Sequence, residues 1–485
     1  MTLDRPRPLR ILQFGAGHFL RTFIDWMVDR MRPAFDGTVG LVKATPGPFN
    51  PVFAEQDNVY TTVLRGRAGG AVVHEQRRIR VIAARYHPYE DFPGFLAAAG
   101  NPELRVIVSN TTEAGIVMNA SDRAEDRPAA SFPGKLTQLL RARYLALGGT
   151  PASALLVLPC ELIERNGQTL RGFVLQHARR WFQDPAFERW IAEDCTFVDT
   201  LVDRIVSGYD PEARRQLLAE TGFDDALLSV GEPYHLLAIQ GAEREDLLPF
   251  RASGLNVVWT DDITPYRLLK VRILNGGHTF LAMVGTALGV DTVRACLHHP
   301  ALRPALEALY DHEILPALPL PAAEGVAYAR TILDRFDNPF LEHRLNSITL
   351  NSVSKWRARL LPSAVASTAQ RGAAPALIAF SLAALVERYT TVAGLQDEAP
   401  VLAAFHGLKP LAAADPVQAV RAVLADPVIW GGPLPVIPGF PEAVAESFQD
   451  IRALGMAAAL ARAVARSGGR AEPAAAATRP SSRKE

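Results

Sequence analysis

Residues 9–21 read Leu-Arg-Ile-Leu-Gln-Phe-Gly-Ala-Gly-His-Phe-Leu-Arg. The apolar run Leu9 to Phe14 is the length of a buried strand, and Gly15 and Gly17 let the backbone turn sharply where a side chain would obstruct it. From Phe19 onward Phe23, Trp26, Met27 and Arg30 recur at helical spacing, which predicts a helix over 19–31. Strand, glycine turn and helix in this order offer backbone N–H groups and a positive helix end to a pyrophosphate. Leu20 occupies the place of the third glycine in a GxGxxG pattern, so the segment also reads as a plain strand-to-helix turn.

Working outward, Val39 to Ala44, Arg105 to Ser109 and Leu155 to Leu158 repeat the short apolar run. Helical candidates lie between or after them at Lys135 to Leu147 and Gln168 to Trp181. This alternation predicts an α/β fold with a mainly parallel, helix-covered sheet. Val59 to Leu64 and Ala71 to Ala83 flank the glycine-rich stretch Gly66 to Gly70 and predict a hairpin. From about Thr260 strand signals fade. Thr264 is placed to cap, with Pro265 at the first position, a helix through Tyr266 to Val284. The expected organisation is a dinucleotide-binding domain over 1–260, a helical substrate domain over 261–466, and a loose tail over 467–485.

The chain has 485 residues, 48% hydrophobic and 21% charged, enough for two or three domains. Its 51 Lys and Arg balance 51 Asp and Glu, which leaves no basic field for a nucleic-acid backbone. The start of the chain lacks a signal-type apolar core, and the apolar stretch 373–386 contains Pro375 and is too short to span a membrane. A soluble, cytoplasmic protein is expected, with no membrane or nucleic-acid partner. The three cysteines stand far apart, without a CxxC pair. His298 and His299 are adjacent and cannot share one helix face, so no metal site is expected.

Asn110, Thr111, Thr112 and Glu113 follow the strand at 105–109, at the carboxyl edge where open α/β sheets bind ligands. The predicted cofactor contacts are therefore Phe14, Gly15, Ala16, Gly17, His18 and Phe19 with Asn110 to Glu113. Lys43-Ala44-Thr45 ends the second strand, where an acidic residue would hold an NAD ribose, and a lysine there tolerates a 2′-phosphate. The helix opened by Pro265 carries Lys270, Asn275, Gly276, Gly277 and His278. At ~100° per residue Asn275 and His278 fall within about 60°, and Lys270 and His278 within about 80°. One broad face then presents all three polar groups. The two glycines each cost ~1 kcal/mol in a helix, as if something approached closely. Singly, the lysine reads as solvated, the asparagine as a cap and the histidine as a core residue.

Seven segments in order, ILQFGAGHFLRTFIDW, VYTTVLRG, VSNTTEAGI, LPCELIERNG, TLVDRIVSGY, KVRILNGGHT and RFDNPFLEHRLNSITLNSVSKWRARLLP, resemble the mannitol dehydrogenase family of polyol-specific long-chain dehydrogenases. The resemblance implies a Rossmann-like doubly wound sheet with a mainly helical C-terminal domain, and metal-independent, NAD-linked chemistry. It implies Lys270 as the acid/base, Asn275 on the reacting oxygen and His278 orienting a small-molecule sugar-acid substrate. It places Lys355 and Asp203 at the substrate. Leu162 and Ser347 stand where mannitol-active members carry asparagine and arginine, which counts against mannitol and not against a hexonate. The implied reaction is tagaturonate reduction; fructuronate and mannitol-type substrates are the alternatives, and a nucleotide-sensing module is the non-enzymatic one. Lys355, Arg357 and Arg204 are the candidate cations for the substrate carboxylate. Composition says nothing of oligomeric state; the resemblance implies a monomer.

Overall fold

The computed structural model describes residues 7–111, 115–208 and 211–468. Among them thirteen strands occur in chain order: β1 (Leu9–Phe14), β2 (Thr38–Val42), β3 (Tyr60–Ala68), β4 (Ala71–Ile79), β5 (Ile82–Tyr86), β6 (Val106–Ser109), β7 (Leu156–Pro159), β8 (Thr196–Phe197), β9 (Asp199–Asp203), β10 (Val206–Ser207), β11 (Ser229–Gly231), β12 (Leu236–Gln240) and β13 (Val257–Thr260). Six form a sheet in the order β5-β2-β1-β6-β7-β8, parallel throughout. Chain direction across the sheet reverses between β1 and β6, which makes their carboxyl ends the ligand-binding edge of a doubly wound fold.

Successive strand residues point to opposite faces, and both faces are covered. Leu12, Phe14, Ile107 and Val157 pack with helices Phe132–Leu147 and Asn166–Phe182, while Ile11, Val39, Val106 and Leu158 pack with helix Ile24–Met31. The expected helix over 19–31 is two: His18–Thr22 and Ile24–Met31, separated at Phe23, whose φ of −115° and ψ of −78° break the ladder. β3 and β4 are the expected hairpin, and its two turn residues Gly69 and Gly70 take φ of +57° and +78°, values that L side chains resist. Two smaller sheets, β10-β11-β3-β4 and β13-β12-β9, extend this part of the chain.

The described chain divides into two compact units, one comprising residues up to 66 with 71–266, the other 67–70 with 267 onward. The second unit is helical. Its apolar helix Ala376–Thr391 starts immediately after Pro375, and the backbone N–H groups of Leu377 and Ile378 donate to Glu313 at 2.7 and 2.8 Å. Ser467, placed in the loose tail by composition, is instead the last residue of helix Met456–Ser467 and is buried, because that helix keeps Leu460, Ala463 and Val464 inward. No helix among the described residues is long and apolar enough to cross a membrane.

Candidate active site

In the first unit the end of β1 opens a cavity of about 440 Å³, lined by Gly15, Ala16, Gly17, Lys43, Asn110 and Thr111 among others. Gly15 sits at φ +115°, and a Cβ there would lie 2.8 Å from the carbonyl oxygen of Asn110. Gly17 has nothing within 4 Å of where its Cβ would be. The first glycine is thus fixed by the protein's own backbone. The second keeps space open.

Asn110 N donates to the Phe14 carbonyl (3.1 Å) and its side chain to the Cys160 carbonyl (2.8 Å), which ties β1, β6 and β7 together at their ends. Glu161, unremarked in the sequence reading, completes this: its buried carboxylate accepts from Ser109 Oγ (3.0 Å) and from Thr111 N and Oγ1 (both 2.9 Å). Burial pushes its pKa up, against the pull of those donors. An acid directly after an apolar strand was the available signal. Thr112 and Glu113 lie outside the described residues. The Phe14 ring lies in the core, packed on Phe95 and Phe132, and does not line the cavity. Phe19 stacks on Phe23, and neither it nor His18 lines the cavity. Arg21, Phe49 and Asn50 do line it and were not anticipated.

Asp203 is buried at the end of β9, opposite Leu236 of β12. The neighbouring Arg204 is not available to a substrate: it donates to the carbonyls of Thr22, Pro233 and Tyr234 and lies over the Trp26 ring at 4.2 Å.

In the second unit Lys270, Asn275 and His278 lie on one helical run, Thr264–Leu268, Leu269–Asn275 and Gly276–Ala287. Asp262, not Thr264, supplies the side-chain acceptor at its start, taking the Thr264 N–H at 2.8 Å. The middle stretch is π-helical, a wide turn closed by i→i+5 bonds and common at functional sites. The 100° count therefore fails across it. Residues five apart, such as Lys270 and Asn275, return to one side in a stretch of that pitch, where an α-helix would separate them.

The glycines answer to packing. A Cβ on Gly277 would lie 2.0 Å from Tyr310 Oη, and one on Gly276 would lie 3.3 Å from the Leu360 side chain. Tyr310 Oη donates to the Ile273 carbonyl (3.0 Å), so the tyrosine needs the room to reach the wide turn. His278 is 7% exposed, stacked on Phe336 (4.3 Å) and edge-on to His343 (4.7 Å). Burial, then His343, Arg359 and Arg335, hold its pKa well below the ordinary value, so the ring is neutral at physiological pH. Its Nε2 is buried without a hydrogen-bond partner, a costly state that a substrate hydroxyl would relieve.

Helix Ser352–Arg359 packs on both the wide turn and Gly276–Ala287. Lys355 Nζ donates to the Ile348 carbonyl (3.0 Å), and burial and Arg359 lower its pKa. Arg357 faces elsewhere and donates to the Trp430 carbonyl. Arg359, overlooked in the sequence, donates to Thr279 Oγ1 at 3.2 Å. Among the described residues no group of three or more His, Cys, Asp or Glu stands together as metal ligands, and His298 Nε2 is 2.8 Å from Asp337 Oδ1.

Residues 9–249 match the family model of the mannitol dehydrogenase Rossmann domain, and residues 262–452 that of the mannitol dehydrogenase C-terminal domain. The chain belongs to the mannitol dehydrogenase family. As a member it is an oxidoreductase acting on CH–OH groups, with a Rossmann-type nucleotide-binding domain. It is 40% identical to the altronate oxidoreductase of Bacillus subtilis over 93% of this chain and 95% of that one, and 40% identical to that of Yersinia enterocolitica over 94% and 97%. Two solved structures share the fold. D-sorbitol dehydrogenase in substrate-free form superposes with a TM-score of 0.80 at 22% identity, covering 94% of this chain and 95% of that chain. The Pseudomonas fluorescens mannitol 2-dehydrogenase ternary complex with NAD and D-mannitol gives 0.70 at 23%, covering 96% of each.

Proposed function

We propose that the protein reduces tagaturonate to altronate with NADH, without a metal, using Lys270 as general acid. The observation that carries this is 40% identity, spanning nearly the whole of both chains, to altronate oxidoreductases. The cavity at the end of β1 fits the cofactor: Gly15 must be a glycine for backbone reasons, Gly17 leaves the approach clear, and the strand ends meet at the switch point. When bound, the nicotinamide supplies the hydride.

The chain's own residues handle the charge and the proton. As the ketone carbon is reduced, negative charge gathers on its oxygen and needs donors. Lys270 delivers a proton there, and the Asn275 amide, which makes no hydrogen bond among the described residues, adds a neutral donor. Neutral His278 offers its orphaned Nε2 to a substrate hydroxyl. A cytoplasmic, monomeric enzyme is part of the same reading.

One observation favours NADPH as a second reading: Lys43 follows β2 beside the cavity, its Nζ donating to Thr45 Oγ1 (2.9 Å), and among the described residues no acid lines that cavity. Steady-state oxidation of NADH and of NADPH, each with tagaturonate, fructuronate and fructose, tests the proposal. NADH with tagaturonate should give the highest kcat/KM. Faster turnover of fructuronate or fructose would reassign the substrate, and turnover of none would leave a nucleotide-sensing module.

A further inference from the structure

We propose that Arg359, together with Lys355, binds the carboxylate of the sugar acid and so sets the preference for acids over neutral ketoses. This rests on the keto-acid reading above and goes beyond it, since the two other arginines that invite the role are placed otherwise: Arg204 is spent on three carbonyls, and Arg357 turns from the His278 side of its helix toward the Trp430 carbonyl.

Residues four apart share a helix face, so Lys355 and Arg359 project from the same side of Ser352–Arg359, whereas Arg357 points away. That side lies against the helix bearing His278. Arg359 Nη1 reaches Thr279 Oγ1, the residue after His278, and the Arg359 carbonyl would lie 3.8 Å from a Cβ on Gly276. One guanidinium N–H of five is thereby engaged, and among the described residues Arg359 has no carboxylate partner. Lys355 likewise has no ion pair within 4 Å; its single bond is to the Ile348 carbonyl. The acid that acts on Lys355 is Asp397, whose carboxylate is occupied by Tyr389 Oη and the Val353 N–H.

Two half-buried cations without a counterion, beside a buried imidazole nitrogen without a partner, are an unbalanced arrangement that an anionic polyol would balance. A guanidinium takes a carboxylate through two parallel N–H···O bonds, which gives direction as well as charge. Burial of Arg359 strengthens that attraction and also lowers the guanidinium pKa. Thr279 holds the guanidinium in place, and His278 one residue earlier takes a hydroxyl of the same substrate.

The test compares kcat/KM for tagaturonate and for tagatose, in which CH₂OH replaces the carboxylate, in the parent and in Arg359→Gln, Arg359→Lys and Thr279→Val. The parent should prefer the acid. Arg359→Gln should lower the acid-to-neutral ratio about 100-fold, mostly through KM, and Arg359→Lys should retain the ratio within about tenfold. If Arg359→Gln melts early, Thr279→Val, near-isosteric, carries the test with a smaller fall in the same ratio. An acid-preferring parent whose ratio is unchanged in Arg359→Gln, or variants that lose both substrates equally, would overturn the assignment alone. A parent that prefers tagatose would overturn the keto-acid reading as well.

Discussion

At the scale of single residues, the two glycines after β1 look alike in sequence and differ in the fold. Gly15→Ala forces a side chain onto a φ of +115° and into the Asn110 carbonyl; it should lower the melting temperature and weaken NADH binding together. Gly17→Val should leave melting nearly unchanged and weaken NADH binding, read by fluorescence titration. Equal affinity in Gly17→Val and parent would remove the cofactor from that turn. Lys270→Ala should cut kcat by about 10²–10⁴ with NADH affinity retained, the range of a lost general acid; parallel loss of binding would make the lysine structural. The glycines were legible because backbone constraint is written in residue type. Arg204 and Arg357 were not, since a guanidinium spent on carbonyls, one turned from the site and one facing it read identically until their neighbours are placed.

At the scale of elements, the four central strands β1, β2, β6 and β7 were legible almost residue by residue, because a parallel sheet covered on both faces leaves continuous apolar runs; the outer two were not, since Ile82 and Ala83 of β5 read as the end of the hairpin and β8 is two residues long. The helix over 264–287 was legible in extent and not in pitch. No composition signal marks where i→i+4 bonding gives way to i→i+5, and the contact made at that turn comes from another segment: Tyr310 reaches the Ile273 carbonyl across Gly277. Gly277→Ala should therefore destabilise by about 1–3 kcal/mol through overpacking. Tyr310→Phe should relieve part of that clash, so the double variant should melt above the additive expectation in denaturant titrations. Strict additivity would mean the tyrosine and the glycine do not meet. Glu161 belongs to this scale too, since its carboxylate joins the ends of β6 and β7. Glu161→Gln, which cannot accept on both sides, should raise the NADH dissociation constant several-fold while kcat at saturating NADH stays close to the parent value.

At the scale of the whole molecule, each unit carries a buried carboxyl whose pKa is raised to about 7 by burial: Asp25 in the first, Glu313 in the second. Both are ~4 in an unfolded chain. The folded protein therefore keeps protons that the unfolded chain releases, and the stability this contributes is full below about pH 4 and lost as pH rises through about 7. The buried histidines His235 and His278, whose pKa values burial lowers, contribute in the opposite sense as pH rises to about 6.5, so each carboxyl shows in the difference between variant and parent. Asp25→Asn and Glu313→Gln should each gain melting temperature relative to the parent from pH 5 to pH 8, and variant curves parallel to the parent's would contradict the assignment. Neither group announces itself in the sequence, where acidic residues are ordinarily solvated.

The wide turn at Leu269–Asn275 also bears on how the protein tolerates length changes. A helix that carries one residue beyond its regular pitch behaves like a screw with a slipped thread. Excising a single residue there would restore the regular thread, because the wide turn already takes up the extra residue, and side chains before and after it would keep their faces. His278 would then stay on its ring stack, and the change would fall on the side chains within the turn itself. Circular dichroism would record an intact helix in such a deletant, and the same excision from a regular helix would instead turn every later side chain by roughly 100°.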